Sequence, residues 1–348
     1  MSDHKDSTPI AHGGNLATAR ARYGIPADGW IDLSTGINPH AYPLPDLPQA
    51  LWTALPQADN TTALTEAAAR AYGVPNPATL VPAPGTQALI QRLPRILGSD
   101  HAAVIGPTYG EYTPAWKAAG AVVTEASEID AALDALSGAA RPALILCNPN
   151  NPDGRTTDPA RLIALADRLA TAGGTLVVDE AFADVAPDIS VGPWGSRPGL
   201  VVLRSFGKFF GLAGVRLGFA VCPPALAHEM SCDLGPWAVS GPALAVGRTA
   251  LADDAWQTAM RVRLSQEAER LQTLLSQAGF KVVGGTPLYV LVQSVEAPAW
   301  HDRLARAGIW VRAFPERSEL LRFGLPADRD GWHRLSATLG VSLPATAG

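Results

Sequence analysis

The sequence predicts an α/β protein: a large, doubly wound, mostly parallel sheet domain, a smaller α+β domain at its C-terminal end and an N-terminal arm. Short apolar runs at 102–105, 121–123, 143–147, 175–178 and 200–203 alternate with amphipathic stretches such as 159–172, the rhythm of parallel strands covered by helices on both faces. After about Ala250 the texture changes to a long charged helical stretch followed by strand-like segments. A chain of 348 residues also exceeds what one hydrophobic core ordinarily serves.

In chain order, residues 1–60 are irregular, because Gly13, Gly14, Gly24, Gly29 and Gly36 alternate with prolines that interrupt both structural periods. They read as an arm that also supplies part of the small domain. Residues 61–250 carry the alternating strands and helices of the large domain. Residues 251–348 form the small domain, with a helix at 256–277 and strands at 281–292, 310–313 and 321–324. No fixed-period repeat is present, which excludes solenoids and propellers.

Composition narrows the function classes. With 47% apolar residues, 17% charged residues and a formal net charge of -5, the chain lacks the clustered cations that nucleic acid or an anionic membrane would attract; a small-molecule partner is expected. Cys147, Cys222 and Cys232 form no CxxC pair and have no histidine at metal-ligand spacing, so neither a disulfide framework nor a metal site is expected. That usage suits a reducing cytoplasm. MSDHKDSTPI has no basic start followed by an apolar segment, and no run is long enough to span a bilayer.

Five segments can carry chemistry. Ser205-Phe206-Gly207-Lys208-Phe209-Phe210-Gly211-Leu212-Ala213-Gly214-Val215-Arg216-Leu217-Gly218-Phe219 follows the run at 200–203, where strand ends of open α/β sheets hold ligands. A lysine among glycines and aromatics is desolvated, so its pKa falls and its amine can attack an aldehyde near neutral pH. Ser205 and Arg216 flank it as donors suited to a phosphate. Asp179, in Thr175-Leu-Val-Val-Asp179-Glu180-Ala-Phe182, stands at the carboxyl end of a buried run. It suits a helix cap, an ion pair or a protonated pyridine nitrogen, which keeps a ring cationic and able to accept electrons. Asn148-Pro149-Asn150-Asn151-Pro152-Asp153-Gly154 is dense in turn formers, and Asn151 there can reach a phenolic ring oxygen. Pro84-Gly85-Thr86-Gln87 precedes a helix whose first amides can hold a phosphate, Thr86 adding a hydroxyl. Tyr109, in Pro107-Thr108-Tyr109-Gly110-Glu111-Tyr112, offers an aromatic plate.

In this order the five segments resemble the fold type I pyridoxal-phosphate enzymes, the class I and II aminotransferase group that includes histidinol-phosphate aminotransferase. NPNNPDG, DEAF and SFGKFFGLAGVRLGF carry the likeness, which covers most of the chain. The resemblance implies pyridoxal 5'-phosphate as cofactor, with Lys208 as the amine that takes its aldehyde, Asp179 at the pyridine nitrogen, Asn151 at the ring oxygen and Tyr109 stacked. Gly85, Thr86, Gln87, Ser205 and Arg216 would surround the phosphate; Lys208, Asp179 and Tyr109 are the catalytic candidates. Leu321-Arg322-Phe323-Gly324 is similar to the family strand that presents an arginine to the substrate carboxylate, a task suited to a charged, bidentate fork. A homodimer is implied as well.

Within that group, His12-Gly13-Gly14-Asn15 and Asp32-Leu33-Ser34-Thr35-Gly36-Ile37-Asn38-Pro39 resemble the opening of the threonine-phosphate decarboxylases of cobalamin biosynthesis. This implies conversion of L-threonine O-3-phosphate to (R)-1-amino-2-propanol O-2-phosphate and carbon dioxide. His12, Gly14, Asn15 and Asn38 would then meet the substrate together with Asn151 and Arg322, the glycines permitting close backbone approach to an anion. Two positions depart from the aminotransferase pattern: Phe182 stands where a tyrosine usually donates to the ring oxygen, and Leu55-Pro56 replaces Tyr-Pro. Decarboxylation or transamination follows from which bond at the α-carbon stands perpendicular to the cofactor plane, and Arg322 can serve either. An aminotransferase for histidinol phosphate or another phosphorylated amino acid is therefore the rival reading, followed by a non-catalytic sensor domain. Arg248, Arg312 and Arg317 are left as candidates for the substrate phosphate.

Overall fold

The computed structural model describes residues 13–343. Among them the strands are β1 (Ile31–Leu33), β2 (Leu80–Ala83), β3 (His101–Ile105), β4 (Val122–Ala126), β5 (Pro142–Cys147), β6 (Thr175–Asp179), β7 (Leu200–Ser205), β8 (Gly218–Val221), β9 (Lys281–Thr286), β10 (Tyr289–Gln293), β11 (Ile309–Ala313) and β12 (Leu320–Gly324). A seven-stranded sheet runs β2-β8-β7-β6-β5-β3-β4 and a five-stranded sheet runs β1-β11-β12-β10-β9. In the larger sheet only β8 is antiparallel to its neighbours β2 and β7.

Four of the five apolar runs become buried strands because both of their faces are covered, whereas the run at 121–123 leads into the edge strand β4, which is largely exposed. Leu144, Leu146, Val178 and Val202 point to one side and join Leu162, Leu165 and Leu169 of the helix Pro159–Thr171 in one core. Ile145, Val177, Val201 and Leu203 point to the other and join Leu89, Ile90 and Leu93 of the helix Thr86–Leu97 in a second. Each such buried side chain contributes roughly 1.5–3 kcal/mol. Asp158 starts the first helix by accepting from the amides of Ala160 and Arg161, with Pro159 next in line.

The smaller sheet takes one strand from the arm and divides one expected strand in two. The arm contributes β1, paired in parallel with β11. The single run expected at 281–292 is a hairpin, β9 and β10, in which Gly284 and Gly285 sit where the two sheets meet. The Gly285 amide donates to the Asp153 carbonyl at 2.9 Å, and a Cβ on Gly154 would lie 1.8 Å from the Gly285 carbonyl oxygen. The Gly of NPNNPDG is thus required by contact with the second sheet as well as by the turn.

Candidate active site

A pocket opens at the carboxyl ends of β5, β6 and β7, and Gly85, Thr86, Gln87, Tyr109, Asn151, Asp179, Ser205, Lys208 and Arg216 all line it. Crossing connections leave the sheet here and expose strand-end groups side by side.

One end of the pocket is built for an anion. The helix Thr86–Leu97 begins at Gly85 with no side-chain cap on its first amides, which leaves N–H groups and the positive end of the helix dipole turned outward. Arg216 has φ 55°, a left-handed conformation for a non-glycine residue, at a cost of about 1–2 kcal/mol. Its guanidinium lies against the turn so closely that a Cβ on Gly85 would be 2.7 Å from Nη2. A Cβ on Gly218 would likewise come 2.7 Å from the Thr86 amide nitrogen. Two glycines therefore clear a cradle lined by Thr86, Ser205 and Arg216.

The other end is built for a cation. Asp179 is buried; its Oδ1 accepts from the Ala181 amide at 2.9 Å and its Oδ2 from the Tyr112 hydroxyl at 2.7 Å. Burial pushes its pKa up, against the Tyr112 and Ala181 hydrogen bonds and the Lys208 charge. Lys208 lies between the two ends on the short helix Phe206–Phe209. Burial first, then the Arg322 charge, pull its amine down to about 8, with Asp179 acting in the opposite sense. Tyr109, whose hydroxyl donates to Gln87 Oε1 at 3.1 Å, forms one wall. Ala181 and Phe182 also line the cavity, the Phe182 ring centroid lying 5.8 Å from Lys208 Nζ. An anion cradle, a desolvated amine, aromatic walls and a buried carboxylate match the phosphate, aldehyde, ring faces and ring nitrogen of pyridoxal phosphate; the residues fit the group.

On the substrate side, Arg322 is buried and donates to Asn151 Oδ1 at 2.5 Å and to the Ser34 carbonyl at 2.9 Å. Because a guanidinium only donates, the Asn151 oxygen must face it, leaving the amide NH2 for another partner. Arg322 Nε has no partner, and no carboxylate pairs with the side chain among the described residues. A buried cation in this state calls for an anion. Arg312 stands opposite Arg322 in the β11–β12 register, whereas Arg248 is exposed on the helix Gly241–Leu251 and Arg317 pairs with Glu319.

Other expected substrate contacts are not brought to this cavity. Asn15 caps the helix Leu16–Tyr23 by accepting from the Thr18 amide, and the Gly14 amide donates to Ser34 Oγ at 2.7 Å. Asn38 has a structural task of its own. It is buried, its Nδ2 donates to the Phe209 carbonyl at 2.7 Å, its Oδ1 accepts from the His40 amide at 2.8 Å, and its own amide donates to the Lys208 carbonyl. The Tyr42 amide donates to the Phe210 carbonyl. Asn38 therefore fastens the arm to the carbonyl end of the lysine's helix, with each of its side-chain polar groups engaged by the backbone. His12 lies outside the described residues. Leu55 is exposed.

Three residues at the site were not singled out from the sequence. Tyr112 binds Asp179, Cys147 lines the pocket 3.9 Å from Asp179 Oδ2, and Tyr289 packs edge-on to Phe182 while its hydroxyl donates to the Asn150 carbonyl. Tyr112 opens the helix Tyr112–Ala118 while Tyr109 lies in the connection before it, so no local spacing marks the pair. Gly36 of the arm has a direct reason: a Cβ there would lie 2.7 Å from the Tyr289 ring and 2.9 Å from the Phe182 ring.

The family model described as aminotransferase class I and II matches residues 30–332. The chain is 44% identical over 339 residues to the threonine-phosphate decarboxylase of Pseudomonas aeruginosa, covering 97% of this chain and 99% of that one. It is 43% identical over 335 residues to the threonine-phosphate decarboxylase of a Sinorhizobium species, covering 96% and 98%. Histidinol-phosphate aminotransferase from Sinorhizobium meliloti, solved in complex with pyridoxal-5'-phosphate, superposes with a TM-score of 0.79 at 21% identity, covering 97% of this chain and 98% of that one.

Proposed function

The chain belongs to the aminotransferase class I and II family, and from that premise we infer that it is a pyridoxal-phosphate enzyme that decarboxylates L-threonine O-3-phosphate to (R)-1-amino-2-propanol O-2-phosphate and carbon dioxide. The likeness to two threonine-phosphate decarboxylases over nearly the whole chain carries the choice of reaction. The charge layout of the pocket supports the choice of cofactor.

When bound, pyridoxal phosphate supplies an electron sink for the pair left at the α-carbon as the carboxylate departs. In this reading Thr86, Ser205 and Arg216 hold its phosphate, with Gly85 and Gln87 in the same turn. Asp179 holds the proton at the ring nitrogen, Asn151 meets the ring oxygen and Tyr109 covers one face. Arg322 orients the substrate carboxylate. Lys208 then delivers a proton to the α-carbon as a general acid, for which a pKa of about 8 is suitable near neutral pH. Phe182 contributes an apolar wall without a hydroxyl at a position that faces Lys208.

The substrate has two anionic groups, and Arg312 is the proposed contact for its phosphate because it stands opposite Arg322. Arg312→Ala is expected to raise KM for L-threonine O-3-phosphate by about tenfold to a hundredfold, the worth of a charge-assisted hydrogen bond, with a smaller change in kcat. Steady-state kinetics check this; an unchanged KM removes the assignment.

The product belongs, in this reading, to cobalamin biosynthesis in the cytoplasm. Among the described residues no helix is long and apolar enough to cross a membrane. Trp52, Leu55 and Trp237 expose large apolar side chains, and Pro56 and Trp237 line one cleft; this exposure supports a homodimer in which a second copy would cover them. The reaction is tested by supplying the holoenzyme with L-threonine O-3-phosphate and no keto acid. Carbon dioxide release is expected, whereas turnover that begins only when a keto acid is added favours an aminotransferase.

A further inference from the structure

We propose that Tyr112 is a positioning residue for the cofactor, acting through Asp179: its buried hydroxyl holds that carboxylate as an oriented anion. The inference rests on the reading of Asp179 as the partner of the pyridine nitrogen. Tyr112 opens the helix Tyr112–Ala118 and is wholly buried. Its hydroxyl donates to Asp179 Oδ2 at 2.7 Å while the Ala181 amide donates to Oδ1 at 2.9 Å. With a donor on each oxygen the carboxylate cannot turn about its Cβ–Cγ bond without losing both. The ring is itself held, lying 6.0 Å from the buried Trp116 ring and 6.3 Å, edge-on, from Tyr109. One side chain thereby links the carboxylate to the aromatic wall.

A tyrosine kept only for packing would not need its hydroxyl, and a buried hydroxyl without a partner would be unfavourable. Here the hydroxyl has a single acceptor, and that acceptor is the carboxylate at the cation end of the pocket. The titratable groups facing Asp179 are Cys147 from β5, Tyr109 from the connection after β3, Tyr112 itself, and Lys208 from the helix Phe206–Phe209. Burial holds the Cys147 thiol and both tyrosine hydroxyls protonated, their pKa values pushed up. Lys208 is therefore the only cation among them. Once its amine is neutral, Tyr112 and Ala181 are the close hydrogen bonds left to stabilise the aspartate anion; the Cys147 sulfur, 3.9 Å away, is a weak donor. An ionised, fixed Asp179 is what a protonated ring nitrogen requires.

The test is a double-mutant cycle read on the dissociation constant of pyridoxal phosphate from the full-length chain, with Tyr112→Phe, Asp179→Asn and the pair. Tyr112→Phe keeps the ring and its contact with Trp116. It is expected to weaken cofactor binding by about tenfold, in keeping with a hydrogen bond to a charged group, and to shift the visible band of the bound cofactor. In the Asp179→Asn background the same change is expected to alter binding by less than about twofold, because the charge it serves is gone. Equal weakening in both backgrounds would show that the hydroxyl acts on packing alone and would overturn the proposal. So would a Tyr112→Phe protein with a lowered thermal midpoint but an unchanged cofactor constant. If Asp179→Asn leaves binding unchanged, the pyridine-nitrogen reading fails and takes this inference with it; if Asp179→Asn weakens binding and Tyr112→Phe does not, only the role of Tyr112 is lost.

Discussion

Replacing Lys208 by alanine lowers turnover of L-threonine O-3-phosphate by at least about 10⁴-fold, since proton transfer by a positioned group alone is worth roughly 10²–10⁴ and the variant also loses covalent retention of the cofactor. The fold should survive, because the short helix Phe206–Phe209 is held by the Asn38 and Tyr42 amides on the Lys208 and Phe210 carbonyls rather than by the lysine side chain. The variant is expected to release pyridoxal phosphate on dialysis while keeping its thermal midpoint. A pH dependence follows from the same side chain. The neutral amine is the reactive form, and burial brings its pKa to about 8. Uptake of pyridoxal phosphate by the cofactor-free chain should therefore quicken by nearly tenfold per pH unit below about 8 and level off above it. Uptake that still climbs steeply to pH 10 would mean that Lys208 is not desolvated.

The second large effect is on stability. Arg204 precedes Ser205 on β7 and is buried with Glu180, which follows Asp179, and with Asp184. Its guanidinium donates to Glu180 Oε2 at 2.7 Å, to Ser190 Oγ at 3.0 Å and to Asp184, and lies 4.3 Å from the Tyr72 ring centroid. Burial works against the guanidinium charge, but the Asp184 and Glu180 carboxylates outweigh it and hold its pKa above the usual arginine value. Glu180 is also held by the Val191 amide at 2.6 Å and the Ser190 hydroxyl at 2.5 Å. Arg204→Met fills much of the volume and removes the charge that pairs directly with both acids. The expected loss is about 3–5 kcal/mol, the usual consequence of stranding one side of a buried ion pair, read from the denaturant midpoint. Burial pushes Glu180 up, and without Arg204 that carboxyl titrates still higher in the folded chain than in the unfolded one. The penalty is then absent below its unfolded pKa and grows as pH rises through the folded one. A loss that does not shrink in acid would point to packing instead. The cluster ties the ends of β6 and β7 together one residue away from Asp179 and Ser205, so the same variant should also bind pyridoxal phosphate less tightly.

The central strands and the residues at their ends were legible because they obey strong local rules. A strand buried on both faces must be apolar throughout, and the turn residues that follow it stand out against that background, which is how Asp179, Asn151 and Lys208 could be named from the sequence. β2 and β8 escaped for physical reasons. Leu80–Ala83 contains a proline, and Gly218–Val221 continues a glycine-rich segment read for its chemistry. β1 is three residues long with a central aspartate, and its pairing depends on β11, far along the chain. The hairpin at β9 and β10 was hidden because its turn, Pro287-Leu288, is only two residues long and barely interrupts the run at 281–292.

The substrate side was less legible. Asparagine suits a ligand contact and a backbone clamp equally, and the clamp that Asn38 forms depends on the position of Phe209 relative to the arm. Tyr112 shows the converse, a side chain that in sequence looks like packing and in space touches a charged group. Arg312 comes to stand opposite Arg322 only through the pairing of β11 with β12. These roles are set by contacts between segments remote in sequence, which local patterns do not record.

The most direct test of decarboxylation is to run the holoenzyme on L-threonine O-3-phosphate in deuterium oxide without a keto acid and to examine the product by nuclear magnetic resonance. If the bond to the carboxylate breaks and Lys208 then protonates the same carbon, each molecule of carbon dioxide is matched by one 1-amino-2-propanol O-2-phosphate carrying a single deuterium on carbon 1. Recovered substrate carrying deuterium on its α-carbon, with no carbon dioxide formed, would contradict the account and show that the site breaks the α-proton bond instead.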